Sequence, residues 1–570
     1  MDSATRCGPG RTLLSLLSPP DDGVAHTRAG AAFFSLGTAL ETATQTDETH
    51  GVPAILVQAS MLLHEPATHP DIPPRWYALL AWHHYVAGDH RAVFESCDRA
   101  EQSLAHTSDH EHIATRVTIA GLRGLVHAAE SYGRGVATAL SQLDAISTAA
   151  DEFSAWWQAA LRVLLALDAG DIRAARAGAP ALLAASQSLD WSFAQALSLV
   201  VDATVAFEAG QHAGVRASLE RLRDVSPSRQ WQAECALLDC AFALDTDSDR
   251  YRAAADQALE PSALSRCRFL GRCCFRPYQR LFAFELTQAR HADHVAGLIR
   301  RFGWPGPGPD CEDWPWRIRI VTLGRFAIER DGHPIPFPGK PPRRPLALLK
   351  AIVARGGRGV PLAVLAREVW SPGHADGSLG ALEVALVRLR KILGIPRAVV
   401  VQDEHVSLDP ALCWVDTWAF DSATQDLASA TPDSPWFRSA ATRALRLYGG
   451  AFLPTDTEAD WSTVARTRLR AGFCDAIHRV GASHEEAGRW DDAIACYRRG
   501  VATDELAESF YQGLMRCHLA LGRPGEGMAV FRQLRQTLSI VVSMKPNADS
   551  EALAERLREL GTRGTDADAA

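Results

Sequence analysis

From Arg75 to about Arg301, apolar positions recur at helical spacing with hardly any strand-like alternation. Several of these amphipathic segments meet at small-residue turns: Ala87-Gly88-Asp89, Tyr132-Gly133-Arg134, Ala169-Gly170-Asp171 and Ala209-Gly210-Gln211. The glycines lie 45, 37 and 40 residues apart. Glycine suits a helix C-terminus that closes through a left-handed residue, and a period of this size marks stacked helical hairpins. The pattern predicts a tetratricopeptide-like solenoid over 71–302, with Trp76, Trp82, Trp156, Trp157, Trp191 and Trp231 as hairpin core. Residues 1–70 carry a weaker pattern and predict one or two helices after a frayed start.

The pattern then breaks. Gly303-Trp304-Pro305-Gly306-Pro307-Gly308-Pro309 suits neither a helix nor a central strand, since proline lacks the amide donor and glycine has no preferred conformation. A linker is expected over 303–315. Beyond it the period becomes two: Ile318, Ile320 and Thr322, then Phe326 and Ile328, read as short strands joined by an Asp331-Gly332 turn. Arg344–Ala354, Pro361–Trp370 and Ser378–Leu393 are helical, with Ser371–Gly377 as the turn before the third. Val399-Val400-Val401 and Val406-Ser407-Leu408 bracket a small hairpin. Strands, three helices and a hairpin, in that order over 316–410, describe a winged helix-turn-helix of α+β type. Its third helix places Leu382, Ala385, Leu386, Leu389 and Leu393 on the core side. Gly380, Val384, Val387 and Lys391 lie opposite, flanked by Arg388 and Arg390.

Charge sharpens this picture. Residues 316–410 hold 15 Lys and Arg against 8 Asp and Glu, a surplus of 7 in a chain of net charge −8, which leaves −15 elsewhere. Three of the four lysines (Lys340, Lys350, Lys391; the other is Lys545) fall in this window. A basic module in an acidic chain is the electrostatic footprint of a nucleic-acid binder. A packed helix with a solvated basic face would look similar, but the charge contrast and the adjoining hairpin favour DNA. The candidate DNA-contacting residues are Arg343, Arg344, Ser378, Gly380, Val384, Val387, Arg388, Arg390 and Lys391.

Other chemistry is absent from the pattern. The 12 cysteines include no C-x-x-C pair; the cluster Cys267, Cys273 and Cys274 reads as buried reduced thiols, and His106, His110, Glu111 and His112 as a polar loop. No metal, cofactor or catalytic site is expected. The single Gly-Lys pair, Gly339-Lys340, precedes Pro341, so no Walker A loop is present, and no receiver-type alternation or H-E-x-x-H or G-x-S-x-G motif occurs. No apolar run reaches the ~18 residues of a membrane span, and no secretory pattern opens the chain, so a cytoplasmic non-enzyme is expected.

Leu323-Gly324-Arg325-Phe326, Arg343-Arg344-Pro345-Leu346-Ala347-Leu348-Leu349-Lys350 and Leu386–Gly394 resemble the OmpR-like winged helix, in the version found in the antibiotic-regulatory-protein (SARP) type of activator. The stretch C-terminal to it is similar to that family's bacterial transcriptional activation domain, at Gly450-Ala451-Phe452-Leu453-Pro454, Trp461, Arg466–Arg470, Ala493-Ile494, Glu508, Leu514-Met515, Leu521-Gly522-Arg523 and Lys545-Pro546. The resemblance covers about 240 residues, Trp316 to Leu560. Independently, Gly488 and Gly522 lie 34 residues apart, the tetratricopeptide period, so 411–560 is expected to be helical repeats and 561–570 a disordered tail. The resemblance implies transcription activation, promoter DNA with direct repeats, RNA polymerase and a homodimer as partners; an effector or protein is expected on the N-terminal solenoid. A helical-repeat interaction scaffold with a degenerate winged helix is the alternative. Two departures stand out: Gly380 and Val387 occupy positions where the family more often has polar side chains, and Pro524-Gly525-Glu526-Gly527 opens a helix where it prefers alanine.

Overall fold

The computed structural model describes residues 74–87, 89–104, 113–129, 133–146, 152–189, 192–225, 229–260, 275–337, 341–370, 378–456 and 460–567. The expectations for residues 1–70, for His106 to His112, for Cys267, Cys273 and Cys274, and for the turn 371–377 lie outside them. The chain is mostly α and divides into two compact units, Met1–Trp304 and Pro305–Ala570.

In the first unit consecutive helices pair as hairpins: α1 (Pro74–Ala87) with α2 (His90–Leu104), α3 (Ile113–Ala129) with α4 (Gly133–Ala145), α5 (Glu152–Ala169) with α6 (Ile172–Gln187), α7 (Ser192–Glu208) with α8 (His212–Val225), α9 (Arg229–Thr246) with α10 (Ser248–Ala258), and α11 (Phe275–Thr287) with α12 (Ala292–Phe302). Gly170 and Gly210 have φ of +76° and +67°, and the next amides, Asp171 and Gln211, reach back to the carbonyls of Ala166 and Ala206. This is the left-handed closure that the sequence pattern calls for. Gly133 differs: it opens α4 rather than ending a helix. Trp156 and Trp231 are buried, and Trp156 Nε1 donates to Ser198 Oγ at 3.0 Å. The side chains of Trp76, Trp82, Trp157 and Trp191 lie outside the described set. Trp304 closes the unit by stacking on Phe275, Tyr278 and Phe282, with centroid separations of 6.3, 6.3 and 5.3 Å.

The second unit begins in the Gly/Pro segment, which is packed rather than free. Gly306 N–H donates to Ala411 O at 3.0 Å, and Trp414 Nε1 to Pro309 O at 2.9 Å. Arg443 pairs with Asp310 at 2.6 Å and Arg446 with Glu312 at 2.7 Å, while Trp314 and Trp316 are buried. Gly306 lies flat on the Trp316 ring, where a Cβ would fall 2.0 Å from a ring carbon. Proline stiffens this segment and tryptophan anchors it.

Strands β1 (Ile318–Val321), β2 (Ala327–Arg330) and β3 (His333–Pro334) form a sheet completed by β7 (Cys413–Val415), in the order β3-β2-β1-β7. β7 runs parallel to β1, with Ile318 opposite Cys413 and Ile320 opposite Val415. Between them come α13 (Arg343–Ala354), β4 (Val360–Pro361), α14 (Leu362–Val369), α15 (Ser378–Leu393) and the hairpin β5 (Val399–Gln402)–β6 (His405–Leu408), the last two joining β4 in a sheet of order β4-β6-β5. Helices α16 (Asp416–Ser429), α17 (Pro435–Leu447), α18 (Asp460–Glu486), α19 (Trp490–Thr503), α20 (Glu508–Ala520), α21 (Pro524–Val541) and α22 (Ala548–Ala567) complete the chain. The last runs past residue 560, where a disordered tail was expected. Gly488 and Gly522 close α18 and α20 as Gly170 and Gly210 close theirs.

One core runs from Ile318, Leu349 and Leu389 through Phe420, Phe452 and Phe473 to Phe510 and Cys517, while α21 and α22 pack in smaller clusters around Phe531 and Leu557 and around Leu534 and Leu538. The two stretches that carried the family resemblance meet at its centre. Leu323 bridges Phe452, Gly324 N–H donates to Ala451 O at 3.0 Å, and Leu453 N–H to Thr322 O at 2.9 Å. Gly324 has φ +83°, and a Cβ there would sit 2.6 Å from Gly449 O, so only glycine fits. Asp416, buried at the start of α16, accepts from Thr322 N at 2.5 Å, Leu323 N at 2.6 Å and Thr322 Oγ1 at 2.7 Å. Burial pushes its carboxyl above the usual carboxylate range, against the pull of these donors. Lys350 of α13 is 2.8 Å from Asp456 and lies over the Phe326 ring, 4.4 Å from its centroid. Arg466 donates to the carbonyls of Phe452, Leu453 and Asp456, holding the loop before α18. Gly527, a weak point of α21 by helix propensity, lets α22 approach: a Cβ there would lie 2.6 Å from Leu557 Cδ2.

Candidate nucleic-acid interface

Helix α15 divides cleanly in two. Leu382, Ala385, Leu386, Leu389 and Leu393 are all buried, so the apolar stripe fixes which way the helix turns. Gly380, Glu383, Val384, Val387, Arg388 and Lys391 are exposed, Val384 by 51% and Val387 by 64%. Residues 380, 384, 387 and 391 are spaced by four, three and four, and therefore share one face spanning about 16 Å. Nothing lies within 4 Å of the place a Cβ on Gly380 would occupy. Arg388 and Lys391 have no carboxylate partner among the described residues. Glu383 is the member of this face that the sequence reading missed; its exposure follows from its position beside Val384.

The other candidates separate. Ser378 opens α15. Arg390 is half-buried and turned inward, its Nε donating to Val399 O at 3.0 Å, so it fastens the first wing strand to the helix. Arg343 and Arg344 begin α13 with no acidic residue in its first turn, adding two cations to the positive end of the helix. Both are exposed; the Arg344 guanidinium lies 5.6 Å from the centroid of the Trp370 ring, whereas Arg343 has no partner among the described residues.

The wing is β5–β6, with Val399 opposite Leu408 and Gln402 opposite His405. Asp403 and Glu404 form its tip with φ of +48° and +60°, the twist that a two-residue hairpin turn needs. Val400 and Val401 are exposed along its outer strand. The wing is held from below: Gly359 N–H donates to Ser407 Oγ at 2.8 Å and Leu408 N–H to Gly357 O at 2.8 Å. Trp418 of α16 donates through Nε1 to Gly356 O at 2.8 Å, so the activator-side helix braces the turn beneath the wing.

Not every cation of the basic module faces outward. Arg317 pairs with Asp331 at 2.6 Å, Lys350 with Asp456, and Arg355 with Glu368, while Arg319 lies 3.9 Å from the Trp414 centroid. The net surplus therefore concentrates on fewer residues than the sequence count suggests. Arg343, Arg388 and Lys391 carry it on the α13 and α15 surface. No helix among the described residues is long and apolar enough to cross a membrane.

Residues 415–558 match the bacterial transcriptional activator domain family. The chain is similar to Regulatory protein AfsR of Streptomyces coelicolor, at 26% identity over 265 residues that cover 45% of this chain and 25% of that protein. It is also similar to Regulatory protein AfsR of Streptomyces griseus, at 26% identity over 247 residues, 42% of this chain and 24% of that one. The chain thus spans about a quarter of the length of these curated relatives. A solved structure, Mycobacterium tuberculosis EmbR in complex with low affinity phosphopeptide, aligns with 43% of this chain and 65% of that one at 20% identity and a TM-score of 0.35, too low to bear on function. The domain matched over 415–558 and these relatives show what the chain is similar to: bacterial regulatory proteins that it resembles over less than half of its own length.

Proposed function

We propose that this protein is a cytoplasmic, non-enzymatic regulator that binds promoter DNA, at direct repeats, through the exposed face of α15, with Arg343 and Arg344 of α13 and the β5–β6 wing against the flanking backbone. The observation that carries the reading is the α15 face itself: Gly380, Val384, Val387, Arg388 and Lys391 stand outward on a helix whose other side is wholly buried. Arg388 and Lys391 suit phosphates, while the half of the helix before them is free to meet base edges. Arg390 contributes by positioning the wing. The domain over 415–558 would pair two copies or contact RNA polymerase, and the first unit would hold the effector or partner that sets activity, through the concave surface that stacked hairpins generate.

Binding of the full chain to short duplex DNA, titrated with salt, tests this. Affinity is expected to fall with log K decreasing by about 0.9 per log salt for each phosphate contacted. Salt-independent binding, or none at low salt, overturns it. The exposed apolar Val384 and Val387 favour one second reading, a protein-interaction scaffold, and salt-independent capture of a protein by this face would be its signature. For the first unit, a chain starting at Pro305 should keep DNA binding and lose its response to signal. If it remained folded and lost operator affinity, the sensor role would fall.

A further inference from the structure

Every polar group that reads guanine or adenine in two-point fashion is missing from the forward half of α15. From Gly380 to Val387 the exposed positions are Gly380, Glu383, Val384 and Val387, with no Arg, Lys, Asn or Gln among them. Two-point contacts to guanine use Arg or Lys and those to adenine use Asn or Gln; thymine alone offers a methyl group to the major groove. Val384 and Val387 lie one turn apart with branched methyls 51% and 64% exposed, which water tolerates only at a cost. Open space over Gly380 lets the backbone come close to whatever lies there. Cations sit only at the rear, at Arg388 and Lys391, so attraction to phosphate draws this apolar patch toward a duplex, and the acidic side chain beside it suits only a donor such as the cytosine amino group.

Resting on the proposal that this face binds DNA, we infer that the helix reads its operator through thymine methyl groups packed on Val384 and Val387, with specificity coming from shape and apolar contact rather than from two-point hydrogen bonds. Arg388 and Lys391 set how tightly the helix binds, and the two valines set where.

The test uses the full chain and the duplex it enriches from a random-sequence library. That duplex is remade with deoxyuridine in place of thymidine, which deletes the methyl and leaves pairing intact. Each methyl in contact is expected to be worth about fourfold in affinity. V384A and V387A should each shrink the thymine-to-uracil ratio while leaving the salt slope unchanged. Equal binding of both duplexes overturns the inference and leaves DNA binding standing. Full discrimination retained by both alanine variants removes the valines from the role. Failure to bind any duplex at low salt overturns this inference together with the proposal it rests on.

Discussion

Two regions of the second unit use their charges in opposite ways. At the seam between the winged helix and the activator domain, ions are covered and matched: Asp416 against three donors, Lys350 against Asp456, Arg466 against three carbonyls. On the α15 face, Arg388 and Lys391 stand in water without carboxylate partners among the described residues. A buried ion that loses its partner leaves an uncompensated charge, whereas an exposed one returns to solvent. Mutation should therefore break the fold at the seam and only the interface at the face. A residue's net charge says nothing of which of these it does.

The largest effect expected is on the winged helix in isolation. A fragment of residues 316–410 lacks β7, the parallel neighbour of β1, and Asp416, and it exposes the half of the core that ends in Phe452 and Phe473. Its amide spectrum should be that of an unfolded or molten chain, and residues 305–570 should give a dispersed one. A well-folded 316–410 fragment would show that the seam is an ordinary domain boundary.

Next comes Asp416→Ala, which strands the amides of Thr322 and Leu323 in a buried site. A loss of roughly 3 kcal/mol is expected, read as faster hydrogen exchange at those two amides. Its response to pH has a definite sign. Burial raises the folded carboxyl above its unfolded value, so the charged form carries a cost that fades as pH falls toward the carboxylate range. The exposed Asp433 is held low by Arg489, so its contribution is present above the ordinary carboxylate value and is lost as pH drops through the lowered one. Mild acid should thus spare the seam amides and loosen the turn at Asp433.

Lys350→Met should cost about 1–2 kcal/mol, because Asp456 remains three-quarters covered without its cation. Calorimetry of the full chain would register it as a lowered transition for the second unit. An unchanged transition would place this pair among the ion pairs that contribute nothing. The smallest effect belongs to Arg388→Ala with Lys391→Ala. Stability should move by less than ~0.5 kcal/mol, while the salt slope of DNA binding falls by about 0.9 for each contact removed. Unfolding of this double variant would erase the contrast between the two regions.

Local pattern made α15 readable: Leu382, Ala385, Leu386, Leu389 and Leu393 recur at helical spacing, and the structure turns all five inward. The wing was readable for the same reason, from two short apolar runs around a polar turn. What lay beyond reach was non-local. Cys413-Trp414-Val415 is too short to announce a strand, and its partner lies some 95 residues earlier in the chain. Proline and glycine signalled freedom between the units, but nothing local reveals that Asp310 and Glu312 are anchored on a helix more than a hundred residues later, or that Trp314 and Trp316 are buried. Arg390 looked like one more surface cation because only the fold brings Val399 O to it. Gly527 looked like a flaw until Leu557 was seen against it.

The contact of Gly324 with Gly449 has a consequence for how such chains can be rebuilt. Two backbones meet there with no room for a side chain, and Asp416 and Lys350 lock the same neighbourhood. A swap of winged helices between relatives that cuts after residue 410, where the sequence invites the cut, would part Thr322 from Asp416 and Leu323 from Phe452. The transferable piece runs from Pro305 through at least Asp456, so the winged helix is inherited together with α16, α17 and the loop that follows them.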